Sequence, residues 1–142
     1  MGCDIHIEVE KKVDDRWEIV DPADWGYGPT ERDDWIRWDG VYHGKPDPIT
    51  RSYATFSFLT GVRGGDYVPA FPDRGWPKDT AVTMEEPHDI GDHSFTYATL
   101  AELLALAWPP QIENHDFREW CEEILTQIGH PDSVRVLLSF DN

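Results

Sequence analysis

The chain has 142 residues, with 12 Lys and Arg against 28 Asp and Glu, and a formal net charge of -16 at pH 7. This length fits a single domain over residues 1–142, large enough to bury a core without disulfides or a structural metal. The excess negative charge repels phosphate backbones and anionic lipid, so it disfavours binding to nucleic acid or to a membrane surface. It leaves open a small-ligand enzyme or binder, a protein that attracts basic partners, or a mimic of nucleic acid.

Two further expectations concern location and the cysteines. No run of 18 apolar residues occurs, and the first residues lack the basic and apolar layout of a secretory signal, so we expect a cytoplasmic protein. Cys3 and Cys121 are too few for a disulfide framework or a cysteine-based zinc site. Each lies on the apolar side of a periodic segment, which predicts two buried thiols.

The first part of the chain mixes clear and ambiguous patterns. Apolar and polar residues alternate over 3–10, which predicts a strand with one face in the core and one face in water. A charged turn and a second strand over 16–20 complete an antiparallel hairpin. Residues 21–48 indicate an irregular ordered loop, and the Gly- and Pro-rich stretch 61–77 indicates another. The pattern over 51–59 fits either a strand or a short helix.

The last third predicts two helices and a closing strand. Thr99 and Glu102 form a capping box at the start of the first helix, and apolar spacing over 117–128 predicts the second. Residues 134–140 alternate as a strand, which needs a neighbour and is expected to pair with the opening hairpin. The predicted fold is a single α+β domain over 1–142. Its mainly antiparallel sheet contains both termini, with the two helices packed on one face and long irregular central loops.

The charge is unevenly distributed along the chain. Between residues 45 and 78 there are five cations and three acids, a net of +2, so the rest of the chain sums to -18. Guanidinium groups hold phosphate or carboxylate oxygens through paired donors, and a neighbouring Gly-Gly turn directs backbone amides at the same anion. The predicted ligand-binding residues here are Arg51, Arg63 and Arg74, with Tyr53 or Trp76 stacking on a base. The opposing interpretation is that these arginines pair with the protein's own acids.

A second group of polar residues joins the first strand to a later segment rich in His and Asp. Asp4 and His6 project to one side of the predicted strand, about 7 Å apart. With Asp92 and His93 they can bind a divalent metal such as zinc, manganese or iron, or act as a base and its orienting group. In the ligand-binding alternative, Asp4, His6 and His93 hydrogen-bond to ribose or base edges, and Ser94 is a further ligand-binding residue. A third interpretation is a hydrogen-bonded Asp–His pair that fixes strand and loop geometry without a metal.

Several short motifs together carry a family resemblance. They are Met-Gly-Cys-Asp-Ile-His at 1–6, Arg-x-Tyr at 51–53, Gly-Val-Arg at 61–63, Arg-Gly-x-Pro at 74–77, Asp-His-Ser at 92–94 and Phe-Asp-Asn at 140–142. With these the chain resembles, over nearly its whole length, an uncharacterised family of small proteins encoded by bacteriophages and prophages. The resemblance implies counter-defence in the host cytosol, where small phage proteins sequester nucleotide immune signals, cleave them or imitate nucleic acid.

We therefore carry three hypotheses. The leading one is a phage-type counter-defence protein that sequesters a small anionic, nucleotide-like ligand, such as a cyclic nucleotide immune signal, in a pocket of central-loop arginines. The second is a metal-dependent phosphodiesterase or other hydrolase, with Asp4, His6, Asp92 and His93 as catalytic and metal-binding residues. The third is an acidic nucleic-acid mimic or an inhibitor that binds a protein partner. The sequence leaves open whether the chain is an enzyme and whether it forms a homo-oligomer.

Overall fold

The computed structural model describes residues 3–21, 24–25, 36–38, 41–43, 52–65, 67–82 and 90–141. The strands are β1 (Asp4–Val13), β2 (Arg16–Ile19), β3 (Ile36–Trp38), β4 (Val41–His43), β5 (His93–Thr99) and β6 (Val134–Asp141). The helices are α1 (Tyr53–Thr60), α2 (Leu100–Leu104) and α3 (Asp116–Glu123), with 3₁₀ turns at Leu125–Gln127 and Pro131–Ser133. Four strands form an antiparallel sheet in the order β2-β1-β6-β5, and β3 pairs with β4.

The first and last strands lie side by side in the larger sheet. β6 runs antiparallel to β1, beginning with Asp4 opposite Asp141, and β2 extends the other side of β1. The turn between β1 and β2 places Asp14 and Asp15 at φ of 50° and 66°, a left-handed conformation that short polar side chains tolerate. The predicted α+β fold is confirmed, with an antiparallel sheet that contains both ends of the chain.

One face of the sheet carries the hydrophobic core. Alternate residues of the paired strands point into it and are buried: Cys3, Ile5, Ile7, Val9, Val134, Val136, Leu138 and Phe140. The helices cover this face. The rings of Trp25 and Trp120 meet edge to face at a centroid distance of 5.8 Å, and Trp120 Nε1 donates to the Trp25 carbonyl over 3.0 Å. Cys3 and Cys121 are free buried thiols, as predicted.

The stretch for which a strand and a helix were both open forms α1. The Ser52 hydroxyl caps its start by accepting from the Thr55 amide over 3.3 Å. Gly61 ends it in a left-handed conformation at φ 85°. Residues from Thr55 to Thr60 are buried, so the helix contributes most of its length to the interior. The aromatic content of this stretch, which favoured the strand prediction, contributes to core packing by a helix instead.

The second half of the chain follows the predicted capping but adds a strand. Thr99 Oγ1 accepts from the Glu102 amide over 3.1 Å, and the Glu102 carboxylate accepts from the Thr99 amide over 3.0 Å, which completes the predicted capping box of α2. β5 leads directly into this box. No element was predicted for β5, because a register shift between His93 and Thr96 breaks the period of two.

The opposite face of the sheet is only partly in water. The alternation along β1 predicts a solvated face, yet Glu8 is 4% exposed and Glu10 is fully buried. The segment 79–82 crosses this face, where the Thr80 hydroxyl and the Ala81 amide both donate to the Glu10 carboxylate, over 2.8 and 2.7 Å. The expectation of a solvated face is wrong here, because a period of two separates two faces without showing what covers the second.

The helices that the structure describes are short. Each of α1 and α3 has eight residues and α2 has five. A membrane-crossing helix needs about 20 apolar residues. Within the described part of the chain, no helix reaches the length and apolar character that crossing a bilayer requires.

Candidate functional site

Strand pairing places the predicted Asp and His residues at one end of the sheet. Asp4 and His6 lie at the start of β1, Asp141 ends β6, and His93 begins β5. β6 separates β1 from β5, which puts these two strands about 10 Å apart at a spacing of about 4.8 Å per strand. The fold thus brings the two parts of the predicted Asp and His group to one end, with one strand between them.

His6 makes a short polar contact with the last strand. Its Nε2 lies 2.5 Å from Asp141 Oδ2, and both side chains are partly exposed. Asp4 is the cross-strand partner of Asp141, and His6 is that of Ser139, so these four residues share a face. The Asp–His pair without a metal, which was one interpretation of the sequence, is present for His6. Its carboxylate is that of Asp141.

Asp92 and His93 join the sheet through their backbones. The Asp92 amide donates to the Phe140 carbonyl over 2.7 Å, and His93 is paired with Phe140. Because paired residues share a face and Phe140 points into the core, the register assigns His93 to the face opposite that of His6. His93 Nδ1 lies 2.9 Å from Ser94 Oγ, and Ser94 adopts φ 58° at the register shift.

The geometry adds no support to the predicted metal set. The described residues contain no group of three or more His, Cys, Asp or Glu side chains arranged to hold a metal ion. His6 is in contact with Asp141, whereas His93 belongs to a strand beyond β6. The assignment of Asp4, His6, Asp92 and His93 to a metal stays a prediction based on residue type.

Tyr53 and Arg63 form a second feature at the same end of the molecule, which we call the Tyr53–Arg63 surface. The guanidinium carbon of Arg63 lies 4.8 Å from the centroid of the Tyr53 ring. Both residues are exposed, Tyr53 at 39%. The Tyr53 hydroxyl accepts from the Cys3 amide over 3.3 Å, which ties this surface to the start of β1. Two of the predicted ligand-binding residues are thus in direct contact.

The loop after α1 positions Arg63 through an unusual backbone. Arg63 adopts φ 71° between Gly61 at 85° and Gly64 at 66°, a conformation that non-glycine residues rarely take. A Cβ at Gly65 would collide with the Ser57 hydroxyl of α1, so the loop approaches the helix more closely than any side chain allows. Within the Gly-Gly pair noted in the sequence, Gly65 therefore serves close packing against α1, whereas Gly64 has open space around it and adopts φ 66°.

Arg63 also acts on the nearest thiol. Burial raises the pKa of the Cys3 thiol, and a hydrogen bond from Arg63 opposes part of that rise. The net direction keeps Cys3 protonated at neutral pH. Cys3 is therefore a packing residue beneath the Tyr53–Arg63 surface.

Arg74 lies elsewhere and is held by an acid of the protein. Its Nη1 and Nη2 donate to Oε1 and Oε2 of Glu102 over 3.0 and 2.7 Å, and Nη1 also donates to the Tyr97 carbonyl over 3.1 Å. The hydrogen bonds from Arg74 lower the pKa of Glu102, and those to Glu102 raise the pKa of Arg74. For Arg74 the structure shows the opposing interpretation, pairing with the protein's own acid.

Trp76 is engaged within the fold. Its Nε1 donates to the Leu138 carbonyl over 3.1 Å, and its ring meets Phe95 edge to face at 5.2 Å. These contacts fasten the central segment to β5 and β6. Of the two aromatic residues predicted to stack on a base, Tyr53 is the one beside a predicted cation.

A buried ion pair on the second face of the sheet was missed by sequence reasoning. Arg135 Nε donates to Glu10 Oε1 over 2.6 Å, and its Nη1 donates to Asp79 Oδ1 over 3.0 Å. Its guanidinium carbon lies 3.9 Å from the centroid of the Trp17 ring. Arg135 Nη2 is buried without a hydrogen-bond partner in the described structure. The signal for this ion pair is the strand register. When β1 and β6 are aligned as observed, Glu10 lies opposite Arg135.

The third predicted cation of the central loops, Arg51, lies outside the described residues. Comparison of the chain with protein-family models, with curated protein sequences and with solved structures gives no match. The Tyr53–Arg63 surface and its neighbours are therefore the features whose chemistry bears on function.

Proposed function

We propose that the protein binds a small phosphorylated ligand at the Tyr53–Arg63 surface. The observation that carries this proposal is the 4.8 Å stack of the Arg63 guanidinium on the exposed ring of Tyr53. Stacking holds the planar fork of an arginine in one orientation, which suits the paired hydrogen bonds that phosphate oxygens accept. The strained backbone at Arg63 agrees with this role, since strain concentrates at ligand-binding positions.

The start of α1 favours an anion at the same place. Tyr53 is the first residue of this helix, whose first turn contains no acid. The free amides at a helix N-terminus act as about half a positive charge. Arg51 precedes Tyr53 by two positions in the chain, so a second guanidinium belongs to the same segment. We infer that Arg51 and Arg63 share the phosphate, while Arg74 stays with Glu102.

The distribution of charge favours a small ligand over a polymer. The segment from 45 to 78 has a net charge of +2 within a chain of -16. A polyanion spans many residues and would meet the surrounding acids, whereas one or two phosphates can be satisfied by two guanidinium groups. The acidic remainder thus acts as a filter against nucleic acid.

We propose a nucleotide as the ligand, such as a cyclic nucleotide immune signal. An aromatic side chain beside a phosphate-binding arginine offers a stacking partner, and base–aromatic stacking is worth about 1–3 kcal/mol per base. The resemblance to phage proteins adds the biological setting, which is sequestration of that signal in the cytoplasm of the infected cell. The phosphodiesterase alternative has no specific contact in its favour, and neither does the acidic mimic of nucleic acid.

Calorimetric titration with a panel of cyclic mononucleotides, cyclic dinucleotides and ADP-ribose derivatives tests the proposal. We expect one class to bind, and Arg63→Gln to weaken its binding by about tenfold or more, since a hydrogen bond to a charged group is worth about 1.5–3 kcal/mol. Arg74→Gln is the matched control, because it removes one cation outside the surface, and it should change affinity by less than about threefold. Equal losses in both variants, or no binding to the folded wild-type protein, would overturn the proposal.

Recovery of the ligand separates sequestration from hydrolysis. After incubation with the protein, with and without added Mn²⁺, the nucleotide is released by denaturation and analysed by chromatography. Intact nucleotide at stoichiometric yield supports sequestration. Cleaved product that depends on the metal would instead favour the phosphodiesterase built on His6 and its neighbours.

A further inference from the structure

A groove lies on the side of the molecule formed by the β1–β2 hairpin and the 3₁₀ turn after α3. Its volume is about 680 Å³, which lies within the range of about 300–1,000 Å³ usual for ligand sites. Its walls come from Lys11, Val13, Glu18, Ile19, Val20, Asp21, Asp24, Ile124, Gln127 and Ile128. None of these residues belongs to α1 or to the loop that holds Arg63, so the groove is separate from the Tyr53–Arg63 surface.

The floor of the groove is apolar. Val20, Ile124 and Ile128 pack against the core but are only partly buried, so their outer surfaces face the groove. Ile19 is also partly buried, and Val13 at the end of β1 is 37% exposed. Five of the described residues that line this groove therefore have apolar side chains, and apolar side chains grouped on a surface favour contact with another molecule.

The rim of the groove is acidic. Glu18, Asp21 and Asp24 are all exposed, and among the described residues that line the groove Lys11 is the one cation. The stem of Lys11 is packed inward, since its Cε lies 3.2 Å from where a Cβ on Gly129 would stand. Three acids against one lysine leave a net charge of -2 at the rim. The acidic field of the whole chain acts in the same direction.

We propose that this groove docks a basic, amphipathic segment of a partner protein. The apolar side chains of that segment fill the floor, and its Lys or Arg residues face Glu18, Asp21 and Asp24. Charge complementarity selects this occupant, because an acidic rim repels phosphates and anionic lipid and attracts cations over a distance of about a Debye length. Amphipathic helices bind apolar grooves through anchors at three- and four-residue spacing.

A synthetic peptide serves as the probe. It has about 14 residues, with Leu at three- and four-residue spacing and Lys elsewhere, and a fluorescent label for anisotropy at low ionic strength. A second peptide has Glu in place of every Lys. We expect the full-length protein to bind the Lys peptide, and its affinity for the Glu peptide to be lower by at least about a hundredfold. Similar binding of both peptides would overturn the charge argument.

Matched variants separate the groove from general attraction to an acidic protein. Glu18→Gln/Asp21→Asn/Asp24→Asn removes three charges from the rim. Glu113→Gln/Glu119→Gln/Glu122→Gln removes three charges from positions that do not line the groove. Both proteins have the same net charge, so we expect the rim variant to lose about tenfold or more in affinity and the other less than about threefold. Equal losses would show non-specific attraction and overturn the proposal.

A separate variant measures how much the apolar floor of the groove contributes to peptide affinity. Val13→Ser changes one exposed floor residue at a strand end, and we expect it to weaken the Lys peptide by about threefold, as removal of partly buried apolar surface implies. Amide NMR shifts on adding the peptide should concentrate on β2, residues 20–24 and residues 124–128. Shifts centred on the exposed acids of α3 would overturn the assignment. Neither measurement involves phosphate, so failure here leaves the Tyr53–Arg63 proposal untouched.

Discussion

Arg135 and Arg74 each bind a glutamate, and the two ion pairs differ in what surrounds them. The side chains of Arg135 and Glu10 are 5% and 0% exposed, whereas those of Arg74 and Glu102 are 33% and 38% exposed. Removing a charge from water costs several kcal/mol per ion. A buried charge that loses its partner is therefore strongly destabilising. In water, a comparable contact is worth only about 0–1 kcal/mol. We therefore expect the loss of one partner to destabilise the fold far more at Arg135–Glu10 than at Arg74–Glu102.

The buried pair also joins three parts of the chain. Arg135 lies on β6 and Glu10 on β1, while Asp79 and the Ala81 amide belong to the central segment. The ring of Trp17 closes the site from β2. These contacts hold the central segment that contains Asp79 and Ala81 against the second face of the sheet. Substitutions in either pair test this contrast.

Glu10→Gln should have the largest effect. Glutamine keeps a side-chain oxygen for the Ala81 amide but leaves Arg135 as a buried charge without a carboxylate on β1. We expect the free energy of unfolding to fall by about 3–5 kcal/mol, as measured by urea denaturation followed by circular dichroism.

The double variant Glu10→Gln/Arg135→Met is the control for that interpretation. It removes the buried charge and the unpartnered Nη2 atom together, and methionine fills much of the volume. We expect it to be more stable than Glu10→Gln alone by about 1–3 kcal/mol. A double variant no more stable than the single one would mean that packing, and not charge burial, dominates.

Trp17→Ala should have an intermediate effect. It uncovers the guanidinium of Arg135 and removes the ring that lies 3.9 Å from it. We expect a loss of about 1–2 kcal/mol in the free energy of unfolding, from the cation–π contact and the apolar area together. Trp17→Phe retains a ring and should lose less than about half as much. Equal losses in the two variants would contradict a stacking role.

Glu102→Gln should have the smallest effect at neutral pH. Glutamine preserves the capping box with Thr99 and can still accept one hydrogen bond from Arg74. Because the pair is about one-third exposed, solvent screens it, and we expect a loss of less than about 1 kcal/mol. A loss as large as that of Glu10→Gln would remove the contrast between the two pairs.

Acid should erase the difference between Glu102→Gln and the wild-type protein. Hydrogen bonds from Arg74 hold the pKa of Glu102 below its ordinary value of 4.5 in the folded state. A carboxyl with a lowered folded-state pKa stabilises the fold above its unfolded-state pKa, and this contribution disappears as pH falls through the folded-state value. The gap in unfolding free energy should therefore be constant near pH 7 and narrow progressively below pH 4.5. A gap that widens with acid would contradict the pairing.

The two central strands of the sheet and the capping box of α2 could be predicted from the sequence, because they depend on local patterns. Alternation over 3–10 and 134–140 marked the two central strands, and Thr99 with Glu102 marked a helix start. The burial of Glu10 could not be predicted in this way, since it depends on a segment some 70 positions further along the sequence, as the Thr80 contact shows. β5 escaped notice because its register shift breaks the alternation.

The candidate site was predicted in part. Charge counting located the segment from 45 to 78 with Arg63, and the expectation of an aromatic residue stacking on a base added Tyr53, which does lie against Arg63. The same two criteria also selected Arg74 and Trp76, whose partners are Glu102 and the Leu138 carbonyl. Residue type indicates which side chains can bind an anion. Residue type does not show that Arg74 and Trp76 are bound to other groups of the protein, because that depends on tertiary contacts.

The central position of β6 has a consequence for how the chain folds. β6 follows β1, β2 and β5 in the sequence, yet it lies between β1 and β5 in the sheet. Until residues 134–141 are available, β1 and β5 have no common neighbour, and within the four-stranded sheet only β1 and β2 can pair locally. Such distant pairing raises the entropic cost of the folding transition state and slows folding relative to helical proteins of the same size. During synthesis, the four-stranded sheet therefore cannot be completed before β6 has been made. Until then, the apolar faces of β1 and β5 lack their shared neighbour, and exposed apolar surface of this kind is what chaperones bind.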